Sequence, residues 1–236
     1  MKRTKVLILI SVIVSCLSIA YMAYGSIALS GHDLSNPSSK GSYMGMNDYG
    51  EICVYCHTPH GANTSIGAPL WNRNTPPGSG SYTVYTSATM TTSPSNPPSG
   101  VSLACLSCHD GTIAVDQIIN APGSGNNATG PWHGNTAVAS HYQLNSGGCG
   151  GCHTGYIFDT NVVSIGTDLS NDHPISMTYP STDTTNFKAT PDAGIKLFNG
   201  KVECPSCHDV HNDSGFQPFL RVNNAGSALC LGCHVK

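Results

Sequence analysis

Cysteine and histidine recur in this sequence at a single spacing. The chain contains eleven of each, and ten of the cysteines form Cys-x-x-Cys pairs that are each followed directly by a histidine. The five motifs, numbered 1 to 5 in chain order, are Cys53, Cys56 and His57; Cys105, Cys108 and His109; Cys149, Cys152 and His153; Cys204, Cys207 and His208; and Cys230, Cys233 and His234.

C-x-x-C-H is the attachment signature of c-type haem. Residues at i, i+3 and i+4 of a helical turn share a face, so two thiols can bond the porphyrin edge while the imidazole binds the iron. Disulfides leave the repeated histidine unexplained, and structural zinc usually takes four ligands, often from two such pairs. The sequence therefore predicts five covalently attached haem c groups. A haem-free Cys/His metal protein is the alternative.

Six histidines remain after the five proximal ligands are assigned, and five irons need five distal ligands. Methionine is the other common distal ligand and raises the reduction potential, but beyond the N-terminal segment only Met44, Met46, Met90 and Met177 are present. Bis-histidine ligation at every haem is therefore the economical interpretation. The six candidate distal ligands are His32, His60, His133, His141, His173 and His211.

The positions of these histidines suggest different roles. His60 and His211 each follow a proximal histidine by three residues, so neither can swing to the far side of its own haem, and each is predicted to bind a neighbouring one. His173 precedes a proline, which favours an extended loop. His133 and His141 compete for the haem of motif 3, and His141 is favoured because it is closer in sequence.

The elements that must position these residues are expected to be short. The 236 residues include 26 glycines and 15 prolines, and residues 63–100 and 121–130 are predicted loops. Only 37 of the 211 residues after Gly25 are Leu, Ile, Val or Phe, so the core is expected to be built from the haems. Helices are predicted at Leu103–Cys108 and Ser227–Cys233, with a hairpin over Ile195–Glu203 around Asn199-Gly200.

The N-terminus is typical of an export signal. Three basic residues within the first five are followed by an uncharged run from Val6 to Gly31. We expect a signal at 1–25 and one pentahaem domain at 26–236, in the periplasm or at the outer cell surface. The alternatives are an uncleaved membrane anchor or a lipoprotein acylated at Cys16. In this interpretation the protein associates with a membrane only if its N-terminal segment is uncleaved or lipidated. The net charge of −3 gives no basic surface for nucleic acid.

The order of the motifs, with the segments His32-Asp33-Leu34-Ser35, Pro69-Leu70-Trp71-Asn72-Arg73 and Asp172-His173-Pro174, resembles the doubled-CXXCH multihaem cytochromes c of metal-reducing and related anaerobic bacteria. The resemblance is greatest to the tetrahaem members, some of which polymerise into extracellular filaments. It implies electron transfer through stacked, mostly bis-histidine haems. In the filament formers, a histidine of one subunit can bind a haem of the next. Motif 3 departs from this pattern, as a fifth haem inserted at about 121–165.

The expected fold is thus a multihaem cytochrome c: mostly irregular, with short helices at the motifs and a few small β-hairpins. The expected function is electron transfer to redox partner proteins such as other cytochromes, with possible self-assembly into filaments. His32 lies near the predicted mature N-terminus and could bind a haem of its own chain or of a neighbouring molecule. The alternative function is a nitrite or hydroxylamine reductase, which needs an iron with an open site. Distal histidines are in surplus, which favours the carrier.

Overall fold

Short regular elements alternate with long loops in the computed structural model. It describes residues 27–28, 30–35, 49–76, 82–113, 115, 117–122, 164–211, 216 and 218–236. The predicted signal, motif 3, His133 and His141 lie outside these ranges. The helices are α1 (Ser102–His109), α2 (Cys204–Cys207) and α3 (Ala228–Leu231), with 3₁₀ turns at Ile52–Tyr55 and Ala225–Ser227.

Each described motif coincides with a helical turn. Motif 2 ends α1, which contains neither glycine nor proline, and is followed by Gly111 at φ +72°. Motif 4 forms α2, whose first turn is closed by a reciprocal capping box between Glu203 and Ser206. The predicted helices around motifs 2 and 5 are therefore present, although α3 is shorter than the predicted Ser227–Cys233.

Two small sheets join segments that are far apart in sequence. β1 (Thr83–Val84) pairs in parallel with β2 (Asp168–Leu169), and β3 (Met177–Thr178) pairs antiparallel with β4 (Lys201–Val202). Neither sheet is a hairpin, so the prediction of small hairpins is wrong for the named strands.

The predicted Asn-Gly turn is present, but its hairpin ends after one residue pair. Asn199 and Gly200 both have positive φ, at +51° and +74°, as a type I′ turn requires. Phe198 and Lys201 exchange two backbone hydrogen bonds of 3.0 Å. The hairpin goes no further because Lys201–Val202 pairs with β3 instead.

The apolar core of the described chain is divided. Ten of its fourteen buried hydrophobic side chains fall into three small clusters rather than one, which suits a chain with few aliphatic residues. The clusters are Tyr49, Tyr55 and Val115; Ile66, Trp71, Leu103 and Ala104; and Tyr82, Leu106 and Leu169. Among the described residues, no helix has the length and apolar character needed to cross a membrane.

Candidate functional site

The described motifs share one local geometry. The backbone N–H of the histidine donates to the carbonyl of the first cysteine at 2.8 Å in motif 1, 3.2 Å in motif 4 and 2.9 Å in motif 5, and motif 2 is α-helical throughout. One helical turn therefore places both thiols and the imidazole on the same side of the backbone. All eight described cysteines are free thiols.

Three of the four described proximal histidines face a second histidine. The ring centroids of His57 and His211 are 6.0 Å apart, and the planes differ by 27°. His109 faces His32 at 6.0 Å and 56°. His234 faces His173 at 6.5 Å and 77°. The structure thus joins proximal histidines to three of the predicted distal ligands, from segments up to 154 residues away.

These separations suit one metal ion between two imidazoles. A metal–imidazole bond is about 2 Å long, and the ring centroid lies roughly 1 Å behind the nitrogen, so centroids about 6 Å apart leave room for one metal. Within the described ranges, no group of three or more His, Cys, Asp or Glu side chains converges to hold an ion by protein donors alone. Two opposed imidazoles beside two thiols are the donor set that haem c takes.

Hydrogen bonds fix the orientation of several rings. Nδ1 of His57 donates to the Pro69 carbonyl at 2.8 Å, and Nδ1 of His208 donates to the Pro218 carbonyl at 2.8 Å. Because a carbonyl can only accept, the proton lies on Nδ1 and the lone pair on Nε2 is left for a metal. Nδ1 of His173 likewise donates to its own neighbour, Pro174, at 3.0 Å.

Burial keeps these imidazoles neutral, as metal ligands must be. Desolvation, reinforced by His109, lowers the pKa of His32 to about 4. Burial also lowers the pKa of His57 and of His234, and in His234 the facing His173 adds to the effect. All three therefore present a free lone pair at neutral pH.

His60 and His208 are the exceptions. No ring contact joins either of them to another described histidine, although His208 has the same Nδ1 anchor as His57. The ring of His60 is exposed, and its carbonyl accepts a hydrogen bond of 2.8 Å from Asn120. The structure therefore does not bring His60 to a described haem motif.

The thiols show which motifs are neighbours. Burial, then the nearby Cys108, raises the pKa of Cys56 to about 12, which places motifs 1 and 2 side by side. Burial, then Cys233, raises the pKa of Cys207 to about 11, which does the same for motifs 4 and 5.

Motifs 2 and 4 touch directly. The Cys105 thiol donates a hydrogen bond to Cys204, which raises the pKa of Cys105 and lowers that of Cys204. Nearby, the buried carboxylate of Glu203 accepts hydrogen bonds from Ser102 and Ser176. The Ser102 hydroxyl in turn accepts from the Cys204 N–H at 3.0 Å. This contact joins the two halves of the described chain.

Comparison with known families supports the haem assignment. Residues 197–236 match the family model for the doubled CXXCH motif. This doubled CXXCH region contains motifs 4 and 5 and is consistent with a multihaem cytochrome c, so it indicates covalently bound haem c. A comparison with curated proteins finds no match.

The doubled CXXCH region includes part of an internal repeat that motif spacing alone does not reveal. Residues 53–72 (the first copy) and 204–221 (the second copy) have matching hydrogen bonds and a matching left-handed residue. Three hydrogen bonds recur at equivalent positions, and each is 2.8 Å long in both copies. The ring hydrogen bonds to a prolyl carbonyl are His57–Pro69 in the first copy and His208–Pro218 in the second. The backbone N–H to carbonyl bonds are Thr58–Leu70 and Asn72–Cys56 in the first copy, and Asp209–Phe219 and Arg221–Cys207 in the second. The left-handed residues are Leu70 at φ +53° and Phe219 at φ +57°.

Sequence reasoning also missed the polar groups around motif 1. The Arg73 guanidinium is fully buried and donates to the Ser107 hydroxyl, the Ser107 carbonyl and the Val115 carbonyl, at 3.2, 2.8 and 2.7 Å. The Trp71 indole lies edge-on to His57 at 5.7 Å, and its buried N–H has no acceptor among the described residues. An orphaned donor there fits a bound group that carries carboxylates, as haem does.

Proposed function

We propose that this chain is a multihaem c-type cytochrome that transfers electrons through five mostly bis-histidine haems. The three facing histidine pairs carry this proposal. At motifs 1, 2 and 5 the facing imidazoles would both bind the iron, which would leave no position there for a substrate and would suit one-electron transfer. The doubled CXXCH region is of the kind found in electron-carrying cytochromes.

The chain contributes binding, orientation and exclusion of water. When bound, haem supplies a one-electron iron couple. Cys53 and Cys56 would hold the haem of motif 1, and His57 and His211 would bind its iron. His109 and His32 would bind the iron at motif 2, and His234 and His173 would bind the iron at motif 5. The prolyl carbonyls at Nδ1 hold the ligand rings in place and raise their basicity.

The proximity of the thiols supports an order for the haems. Motif 1 neighbours motif 2, motif 2 touches motif 4, and motif 4 neighbours motif 5. We propose that electrons follow this order. His211 adds a second link, because it belongs to the segment after motif 4 and faces His57 of motif 1.

The haem count is tested by mass. The mature chain should exceed its amino-acid mass by five haems, because five complete C-x-x-C-H motifs are present. The measurement is intact mass spectrometry of protein made in a host with working haem-attachment machinery. As a control, Cys149→Ala with Cys152→Ala should lower the count to four. Four haems in the unaltered protein would contradict the proposal.

Reduction potentials test the ligand set. Two imidazoles stabilise ferric iron more than a His/Met pair does, so every midpoint should lie below that of a His/Met cytochrome, and coupling between haems should spread the titration. Spectroelectrochemistry measures this. Met90→Leu and Met177→Leu should leave the titration unchanged, whereas a high-potential haem that either change lowers would refute all-histidine ligation.

We further propose that the chain is exported, acts in the periplasm or at the cell surface, and assembles head to tail. The internal repeat supports the assembly. His211 of the second copy faces motif 1 in the first copy, whereas His60, its equivalent, does not face motif 4 among the described residues. A two-fold relation between the copies would produce both contacts. The contact between the two copies is therefore heterologous, or head to tail. A heterologous contact that repeats between molecules without closing gives a filament.

In this assembly His60 binds the haem at motif 4 of another molecule. The surroundings of His60 suit a contact surface, because two residues with exposed, large apolar side chains are held next to its segment by hydrogen bonds. Leu70 is 54% exposed, and its carbonyl accepts from Thr58; Ile119 is 38% exposed and precedes Asn120, which binds the His60 carbonyl. The partner chemistry is a second copy of this chain.

A further inference from the structure

A buried carboxylate lies where motifs 2 and 4 meet. Glu203 is 2% exposed and directly precedes Cys204. Its carboxylate accepts hydrogen bonds from the hydroxyls of Ser102 and Ser176, the latter at 2.9 Å, and from the backbone N–H of Ser206. These donors come from three separate segments of the chain. The carboxylate is therefore held in one position at the junction of the two motifs.

Glu203 is close to an attachment cysteine of each motif. The backbone N–H of Cys204, its neighbour in the chain, donates to the Ser102 hydroxyl at 3.0 Å. Ser102 also lies one helical turn before Cys105 in α1. The contact with Cys105 lowers the pKa of Cys204, whereas burial and the negative charge of Glu203 act in the opposite direction. The charge of Glu203 thus acts on a sulfur atom to which haem would be attached.

The protein packs closely around this carboxylate and leaves little room for screening water. Oε2 accepts from Ser102 and Ser176, which are both buried. Oε1 lies against the backbone of Gly100, where an added Cβ atom would come within 3.2 Å of it. A charge interacts more strongly with its neighbours in such surroundings than it does in water. Because ferric haem carries one more positive charge than ferrous haem, a nearby carboxylate stabilises the ferric state and lowers the reduction potential.

The buried charges near the other end of α1 act mainly elsewhere. The Arg73 guanidinium donates to Ser107 and opposes the effect of burial on the pKa of Cys56 in motif 1 and of Cys108 in motif 2. At Cys108 the carboxylate of Asp110 acts against Arg73. The positive charge of Arg73 is therefore felt most at motif 1, and the negative charge of Glu203 at the junction of motifs 2 and 4.

Resting on the proposed haem ligation and electron transfer, we propose that the Glu203 carboxylate holds the reduction potentials of the haems at motifs 2 and 4 below those that their axial ligands alone would give. Each haem takes up one electron, from the redox partner or from dithionite in the assay, as its iron passes from ferric to ferrous. Glu203 forms and breaks no bond in this step, and it acts only through its charge.

Glu203→Gln tests the charge, because glutamine keeps the size of the side chain and an acceptor oxygen. Spectroelectrochemistry of the haem-loaded full chain at neutral pH should show two midpoints rising and the others unchanged. Nuclear magnetic resonance of the haem methyl groups should assign the two to motifs 2 and 4. The charge acts on an iron with or without a distal ligand, so the sign of the shift does not depend on assembly. All samples are compared at the same dilution.

Glu203→Asp separates charge from structure. It shortens the side chain but keeps the charge, so both midpoints should stay near those of the unaltered protein. A purely structural role predicts the reverse order, because aspartate reaches the hydrogen-bond donors less well than glutamine does. Glu203→Ser is a second neutral variant, in case the glutamine variant does not take up haem. Serine suits the position before a helix, and this variant should raise the same two midpoints.

Glu51→Gln is the matched control. Glu51 is exposed and lies two residues before Cys53 of motif 1, so water and salt screen its charge and the midpoints should not move. The proposal is overturned if the neutral variants of Glu203 leave every midpoint unchanged, if they shift all midpoints equally, or if Glu203→Asp shifts them as much. Haem mass and low-spin absorption bands of the unaltered protein test the proposed function separately. Their absence refutes that function, whereas bound haems with unmoved midpoints refute only the role of Glu203.

Discussion

Replacing His60 with alanine is expected to abolish head-to-tail assembly and to leave the absorption spectrum of the dilute monomer unchanged. In the proposed assembly His60 binds iron only in the next molecule, so its loss removes a coordination bond from every contact. Light scattering after size-exclusion chromatography measures the assembly, and electron paramagnetic resonance measures the spin state. Unaltered protein should lose one high-spin haem per chain as it assembles, and His60→Ala should keep it at every concentration.

His211→Ala is the control for His60→Ala, because the two histidines are equivalent in the internal repeat. His211 faces His57 in its own chain at 6.0 Å. Its loss should therefore add one high-spin haem even in the dilute monomer. Normal filaments from His60→Ala, or a protein that stays monomeric at all concentrations, would contradict the assembly proposal. A persistently high-spin haem that reduces nitrite would support the reductase.

Replacing Arg73 with methionine is expected to lower the free energy of unfolding of the haem-loaded protein by about 3–5 kcal/mol, since each buried acceptor left without a donor costs about 1–3 kcal/mol. The guanidinium is fully buried, and among the described residues it donates to acceptors of Ser107 in α1 and to the Val115 carbonyl. Its removal leaves buried carbonyls without donors. Arg73→Lys should rescue little, because an ammonium group cannot replace the planar fork. Guanidinium chloride unfolding followed by haem absorbance measures the change.

Arg221→Met provides the comparison. Arg221 donates to the Pro205 carbonyl and to Asp209, both at 2.7 Å, but its side chain is 19% exposed. Water can replace part of the hydrogen bonding that Arg221 provides, so we expect the free energy of unfolding to fall by only about 1–2 kcal/mol. If the two variants lose the same free energy of unfolding, burial does not determine how much Arg73 contributes to stability.

Local features of this chain could be predicted from its sequence, and long-range ones could not. The helical turn at each described motif and the left-handed Asn199-Gly200 turn depend on a few adjacent residues, and both are present. β4 pairs with β3, which lies more than twenty residues earlier in the chain. Nothing in the local pattern at Ile195–Lys196 predicts that the hairpin ends after one residue pair. Pairing of that kind depends on loop closure and packing rather than on local pattern.

The same limit applies to the candidate site. The spacing of His211 from His208 predicts that it binds a neighbouring haem, but nothing in the spacing says that the neighbour is motif 1. His32 has no local constraint, and only the fold places it at His109. The prolyl carbonyls at Nδ1 have no side-chain signature, although a proline ten or twelve residues after a proximal histidine is a signal that could have been found.

The contact between Cys105 and Cys204 has a consequence for how the protein is made. The two thiols belong to different motifs and share a hydrogen bond. In an oxidising compartment, such as the periplasm where we place the chain, thiols in contact readily form a disulfide. That bond would take one attachment point from each of two haems. If the chain is exported as we propose, we expect maturation to precede folding, with motif 2 receiving its haem before its contact with motif 4 forms.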